Sequence, residues 1–135
     1  MRLILFGIVL AIVGCHHAQA DDPAETYRDF AAAEAQGQYS AAWSLLSSAT
    51  QKELTDQAKA IAKARGQTAP EDGRELAFAG SLQYTREITA VDVQSRSGDQ
   101  ATVVVTADGG ATQPIRLVRE QGVWRVDLTT ELGAP

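Results

Sequence analysis

The residues best suited to covalent or metal chemistry stand together near the start of the sequence. Cys15 is the only cysteine of the chain, and His16 and His17 are its only histidines. A structural metal site needs about four converging ligands, which two adjacent histidines on one stretch do not supply. A single cysteine also cannot close a disulfide within the chain. We therefore interpret Cys15 as the acceptor of a covalent group and the two histidines as part of a tether, with no metal or other cofactor.

An uncharged apolar run precedes this cysteine. Met1 and Arg2 give a positive start, and the run extends from Leu3 to Val13. At about 1.5 Å per helical residue the run reaches roughly 17 Å, well short of a hydrocarbon core of about 30 Å. A short apolar run after a positive start is typical of a signal peptide, which is removed from the mature protein.

The four residues that end the run resemble a known modification motif. Ile12-Val13-Gly14-Cys15 is similar to the lipobox of bacterial lipoproteins, although that family usually has Leu and Ala or Ser where this chain has Ile12 and Val13. The resemblance covers only the first 15 residues. It implies cleavage between Gly14 and Cys15, a diacylglycerol on the Cys15 thiol, and a further acyl chain such as palmitate on the new amino group.

The lipobox resemblance also implies a location. His16 stands where the inner-membrane retention signal of enterobacteria has Asp, so the resemblance favours the periplasmic face of the outer membrane. The membrane partner would then be reached through the lipid on Cys15, because two or more acyl chains anchor a protein stably. The stretch from His16 to Asp22 spans at most about 25 Å when extended, which would keep the folded domain close to the membrane.

A second cleavage site keeps an alternative open. Ala18-Gln19-Ala20 has the A-x-A pattern of an ordinary secretory signal, which would release a chain that begins at Asp21. With the lipobox interpretation, the predicted organisation is a signal peptide over 1–14, a lipidated cysteine and tether over 15–22, one folded domain over 23–130, and a tail over 131–135.

The charge of the chain excludes one class of partner. The 135 residues carry a formal net charge of −5, with no run of basic residues. Nucleic acids are bound through basic patches that neutralise phosphates, so we expect no nucleic-acid partner.

Residues 23–66 show the period of helices. Asp22, Pro23 and Glu25 form a helix start, and Gly37 is placed to end that helix. The spacing of Tyr39, Ala42, Trp43 and Leu46 predicts a second helix.

Thr50 to Glu53 resembles a capping box that opens a third helix, which Gly66 ends. Pro70 to Ala77 predicts at most one short helix in the loop that follows.

After Gly80 the period changes to that of strands. The apolar positions from Leu82 to Val93 change parity near Thr89 and Ala90, which predicts a β-bulge. Three further strands are separated by turns at 97–99, 108–110 and 121–122. Pro114 is predicted to start one strand, and Trp124, Val126 and Leu128 alternate with polar residues in the last. The sequence thus predicts an α+β fold, with N-terminal helices packed on a curved antiparallel sheet of four or more strands.

Three phrases of the chain are similar to the nuclear-transport-factor-2-like superfamily. They are YSAAWSLLSSAT, VDVQSRSGDQATVVV and PIRLVREQGVWRVDL, and together they lie within 23–128. The resemblance implies a cone of helices against a curved sheet. Some members of that superfamily are isomerases or dehydratases that work in the cone with Asp, Tyr or His, whereas this domain contains no histidine.

Five side chains are candidates for a binding site. Tyr84 and Arg86 share strand parity and would point into the cone, where they could bind an anionic ligand. The alternative is that Arg86 reaches the rim and extends to water. Asp92 is expected to be an exposed acid rather than a catalytic base. Trp43 and Trp124 are expected to anchor the core rather than to form an aromatic binding wall.

The sequence therefore predicts a lipid-anchored envelope protein with a non-enzymatic binding or assembly domain and a possible envelope protein partner. The alternative is a small-molecule pocket protein, or an isomerase-like or dehydratase-like enzyme of the same fold. An open apolar pocket above roughly 300 Å³, lined by Tyr84, Arg86 or another acid, would favour this alternative, and a collapsed core would favour the binding or assembly domain.

Overall fold

Helices occupy most of the chain that precedes the sheet. The computed structural model describes residues 21–79 and 87–133. The helices of the first range are α1 (Pro23–Ala35), α2 (Tyr39–Leu45), α3 (Ser48–Ala64) and α4 (Arg74–Phe78). In the described residues, no helix combines the length and the apolar character that crossing a membrane requires.

Local cap residues set the ends of α1, as predicted. The Asp22 carboxylate accepts a hydrogen bond from the Ala24 N–H at 2.9 Å, and Pro23 occupies the first helical position. Both features satisfy or remove N–H groups that have no partner within a helix. Gly37 follows the helix with a φ of +68°, a backbone conformation that glycine adopts without steric cost.

The predicted start of α3 is wrong. The helix begins at Ser48, and the Ser47 hydroxyl accepts a hydrogen bond from the Thr50 N–H at 3.1 Å. The Thr50 hydroxyl instead accepts a hydrogen bond from the Leu128 N–H at 2.8 Å. Thr50 therefore joins α3 to the segment after the last strand, a long-range contact that a local motif cannot reveal. The short helix α4 also begins later than expected, at Arg74 rather than near Pro70.

Four antiparallel strands in the order β1-β2-β3-β4 form the sheet. Their bounds are Ile88–Ser97 for β1, Gln100–Ala107 for β2, Thr112–Glu120 for β3 and Val123–Asp127 for β4. A 3-10 turn at Asp108–Gly110 joins β2 to β3, and a short helix, α5 (Thr129–Leu132), follows β4. Helices before an antiparallel sheet confirm the predicted α+β class.

Two bulges in β1 decide which side chains face the helices. The register shifts by one residue between Ile88 and Ala90, and again between Val93 and Ser95. The first shift confirms the bulge predicted near Thr89. It places Ile88, opposite Ala107, on the same sheet face as Val91, opposite Val105, although the two residues are three positions apart. We call this face, which α1 covers, the inner face.

The core lies between α1 and the inner face. Val103, Leu117, Trp124 and Val126 are almost completely buried there, and they pack with Phe30 of α1. Trp124 is thus a core anchor, as predicted, while Trp43 is partly buried against the same cluster.

The last two strands correct two details of the sequence prediction. Asp127 was expected to face solvent by alternation, but it is buried with 5% of its surface exposed. Its carboxylate accepts hydrogen bonds from the Thr129 N–H and hydroxyl at 3.0 and 2.7 Å. Pro114 lies two residues inside β3 rather than at its start. Its position is tolerated because β4 pairs with β3 only from Arg116 onward, so no neighbour on that side needs its missing N–H.

Candidate functional site

The structure describes only some of the residues singled out from the sequence. Gly14, Cys15, His16 and His17 lie outside the described residues, and so do Tyr84 and Arg86. Asp92 is described and exposed, on the face opposite Val91, as expected of an acid that does not act as a buried base. The described residues contain no group of three His, Cys, Asp or Glu side chains arranged to hold a metal ion.

A cleft lies between α1 and one end of the sheet. We call this end, where Ile88, Ala107 and Thr112 lie, the open end. The opposite end, with the turns at 98–99 and 121–122, we call the hairpin end. The cleft has a volume of about 820 Å³, within the range of roughly 300–1,000 Å³ that is typical of ligand pockets. This volume and the acids Glu34 and Glu87 in the lining meet the criterion set above, which favours a small-molecule pocket over a collapsed core.

Two neighbouring stripes of α1 form one wall of the cleft. The first stripe is Tyr27, Ala31 and Glu34, and the second is Arg28, Ala32 and Ala35. Each follows the i, i+4, i+7 spacing of a single helical face. The three alanines leave room between helix and sheet, while Tyr27 and Glu34 place polar groups beside that room.

The opposite wall comes from the sheet. Its apolar residues are Ile88, Val105 and Ala107, which share the inner face because of the bulge at Thr89. Glu87 lies directly before β1 and also lines the cleft. Its backbone oxygen accepts a hydrogen bond from the Asp108 N–H at 2.8 Å, which fixes the start of β1 against the end of β2.

Burial in this region shifts the acidity of two side chains. Burial raises the pKa of Tyr27 to about 12, with smaller contributions from the negative charges of Glu34 and Glu131. Burial also raises the pKa of Glu34 above its usual range. The Glu34 carboxylate is therefore incompletely hydrated when charged, and a positive partner would stabilise it.

The only arginine among the described cleft residues is already engaged. Arg28 forms an ion pair with Glu25 and donates a hydrogen bond to the Val91 carbonyl oxygen at 2.7 Å. These contacts hold its guanidinium against Glu25 of the same helix and against β1, which is an edge strand of the sheet. Chemically, the cleft offers an apolar interior, a phenol and two carboxylates.

A second polar cluster lies at the hairpin end. Asp21 forms ion pairs with Arg96 and Arg119, and both guanidinium groups lie over the Trp124 ring, at 5.2 and 4.7 Å from its centroid. Cations above an indole face are attracted to its π electrons. We call Asp21, Arg96, Arg119 and Trp124 the N-terminal clamp, because it fixes the first described residue of the chain.

The clamp and the cleft lie at opposite ends of the domain. Helix α1 starts beside the clamp at Pro23, and its residues that line the cleft extend from Tyr27 to Ala35, about 6 to 18 Å further along the helix axis. Asp21 therefore lies at the end of the sheet opposite the strand residues that line the cleft.

Sequence reasoning missed the two acids of the cleft and both arginines of the clamp. The seven-residue spacing of Tyr27 and Glu34 was a usable signal, since it places them on one helix face. No local signal brings Glu87 opposite that face. Arg96 reaches the inner face only because of the second bulge in β1, where it pairs with Ala101.

Two comparisons with known proteins found no relative of this chain. No family model matches the chain, and no curated protein matches it significantly in sequence.

Proposed function

We propose that this chain is a lipid-anchored bacterial envelope protein whose domain is a non-enzymatic binding module, with the cleft between α1 and the sheet as its ligand site. The observation that carries the proposal is the position of the cleft. An 820 Å³ space with an apolar interior lies at the open end of the sheet, while the chain enters the domain at the hairpin end.

The lipid anchor is supported by the lipobox resemblance of Ile12 to Cys15. From Cys15 to Asp21 the chain advances six residues, or at most about 20 Å. Because the clamp holds Asp21 at the hairpin end, that end would face the membrane. The cleft would then open away from the lipid surface, where a soluble ligand or an envelope protein partner has access. Because His16 stands where the inner-membrane retention signal of enterobacterial lipoproteins has Asp, we propose that this surface is the periplasmic face of the outer membrane.

We further propose that the domain is a nuclear-transport-factor-2-like cone. The helices that precede an antiparallel meander support this proposal, as do the three sequence phrases that resemble the superfamily. A cleft between helix and sheet at the open end is consistent with the mouth of such a cone.

Ligand retention tests the binding function. The full-length chain, purified in a non-ionic detergent, is incubated with small-molecule extract of bacterial envelopes and examined by native mass spectrometry. We expect a saturable adduct that is lost in Ala32→Trp, because an indole at this position fills the cleft. The matched control is Ala60→Trp, another exposed helical alanine, which should keep the adduct. Equal adducts on both variants would argue against the cleft as the site.

One observation favours a second candidate, an isomerase-like or dehydratase-like enzyme. Glu34 has a raised pKa beside Tyr27, and a carboxylate with a raised pKa is suited to act as a general base. A pKa of about 12 makes Tyr27 a weak proton donor at neutral pH, which limits this candidate. Deuterium exchange into ketones in D₂O decides it: exchange above the buffer rate that disappears in Glu34→Gln would favour the enzyme.

A further inference from the structure

The charged residues that line the described part of the cleft do not balance each other. Its charged lining residues are Arg28, Glu34 and Glu87, and the remaining lining is small, apolar or neutral. Arg28 is engaged by Glu25 and by the Val91 carbonyl. Neither Glu34 nor Glu87 has an ion-pair partner within residues 21–79 and 87–133, where the ion pairs involve other acids. The uncompensated charge of the described lining is therefore negative.

The two acidic residues come from opposite walls of the cleft. Glu34 projects from the last turns of α1, and Glu87 lies at the start of β1 across the cleft. A positive group between them would interact with both. Glu34 would gain most, because it is half-buried and its hydration is already reduced, and Coulomb attraction is stronger where water is partly excluded.

The rest of the lining fits a ligand with an apolar body. Ala31, Ala32 and Ala35 face Ile88 and Val105 across the space, and such surfaces favour hydrocarbon over water. Tyr27 adds an aromatic ring close to Glu34. Aromatic faces attract ammonium groups, and more strongly when these are partly desolvated.

We propose that the cleft binds an organic cation: a primary amine or quaternary ammonium group joined to a small apolar or aromatic body. Its positive group lies between Glu34 and Glu87, near the ring of Tyr27, and its apolar part contacts the alanines of α1. This inference rests on the proposed function, because it names the ligand class of the same cleft.

Three probes that share a phenyl ring and differ in charge test the inference. They are benzyltrimethylammonium, benzyl alcohol and benzenesulfonate, which carry positive, zero and negative charge. Each is titrated into the full-length chain in a non-ionic detergent, and binding is followed by backbone amide chemical shifts of α1. We expect saturable shifts at Ala31 to Ala35 with the cation, and affinity for the cation about tenfold or more above that for the anion, since charge complementarity disfavours the wrong sign.

A charge variant isolates the role of the two acids. Glu34→Gln with Glu87→Gln should weaken cation binding about fivefold or more and bring it close to that of benzyl alcohol. Glu71→Gln with Asp99→Asn removes the same net charge at exposed sites away from the cleft and should change the affinity less than about twofold at 0.15 M salt.

The outcomes separate the two proposals. If all three probes shift the same α1 residues with similar affinities, the cleft is a ligand site but the cation class is wrong. If the glutamine pair and its control weaken binding equally, the cation is held by net charge alone, which also overturns the class. If no probe gives saturable shifts in α1, the cleft is not a site for small ligands and both proposals fail.

Discussion

At the scale of single residues, the most consequential side chain of the described domain is Thr50. It is fully buried, and its hydroxyl accepts the Leu128 N–H at 2.8 Å and the Ser47 hydroxyl at 2.9 Å. One residue thus joins the start of α3 to the end of β4. The sequence pattern assigned Thr50 to a helix cap, because a local motif carries no information about partners 78 residues away.

This role predicts the effect of removing the hydroxyl. Thr50→Val keeps the shape but leaves the partly buried Leu128 N–H without its partner, which should lower the free energy of unfolding by about 1–3 kcal/mol. Thr50→Ser keeps the hydroxyl and should lose less than half of that. Urea denaturation of the full-length chain measures both variants, and equal losses would show that packing, rather than the hydrogen bonds, matters here.

Tyr27 predicts a loss of stability at high pH. Folding raises the pKa of Tyr27 to about 12 from an ordinary value of 10.0, so the fold favours the neutral phenol. This contribution is fully present below pH 10 and is lost as the pH rises through 12. Two pKa units correspond to at most about 2–3 kcal/mol.

The matched variant for this effect is Tyr27→Phe, which cannot ionise. Urea denaturation between pH 8 and 12 should show a steeper fall in unfolding free energy for the natural chain than for the variant. Identical pH profiles would mean that the phenol is not buried in the way described.

At the scale of elements, the features that the sequence predicted correctly are those set by a few neighbouring residues. Helix α1 was predicted with its caps, because Asp22, Pro23 and Gly37 act within one turn of the helix ends. The bulge at Thr89 was predicted because a change of parity is visible within one strand. The cleft was not predicted, since it depends on how α1 lies over the open end of the sheet. The burial of Asp127 likewise depends on Thr50 and Thr129 folding over it.

The contact between α3 and α4 depends on a glycine. Gly73 is buried, and a Cβ at this position would lie 2.5 Å from the Leu54 carbonyl carbon and 2.7 Å from the Thr55 nitrogen. Backbone cannot move aside cheaply, so Gly73→Ala should lower the free energy of unfolding by about 1–3 kcal/mol.

Gln67→Ala, at an exposed position in the same loop, is the control and should stay within about 0.5 kcal/mol of the natural chain. Thermal and urea unfolding measure both variants. A Gly73→Ala chain as stable as the control would contradict the close approach of the α4 start to α3.

At the scale of the whole molecule, the clamp gives the domain a direction. It holds Asp21 at the hairpin end, whereas the cleft lies beside α1 from Tyr27 to Ala35 and between that helix and the open end of the sheet. If the chain is anchored through Cys15, the hairpin end lies nearest the lipid. A binding site at the far end is then open to the periplasm.

Fluorescence quenching tests this orientation. Lipidation would consume Cys15, the only natural thiol, so a dye can be attached at Asp99→Cys in the hairpin end or at Ala111→Cys in the open end. With the anchored protein in vesicles that carry nitroxide headgroups, we expect stronger quenching at position 99. The double variant Arg96→Gln with Arg119→Gln should reduce the difference, because it releases Asp21. Equal quenching at positions 99 and 111 in protein that keeps Arg96 and Arg119 would contradict the orientation.

The proposed anchor is the premise of this whole arrangement, and intact-mass spectrometry of the mature protein from bacterial membranes tests it most directly. The account predicts an N-terminal Cys15 that carries a diacylglycerol group, with or without a further acyl chain, and no such mass for Cys15→Ser. An unmodified chain that begins at Asp21 would contradict it.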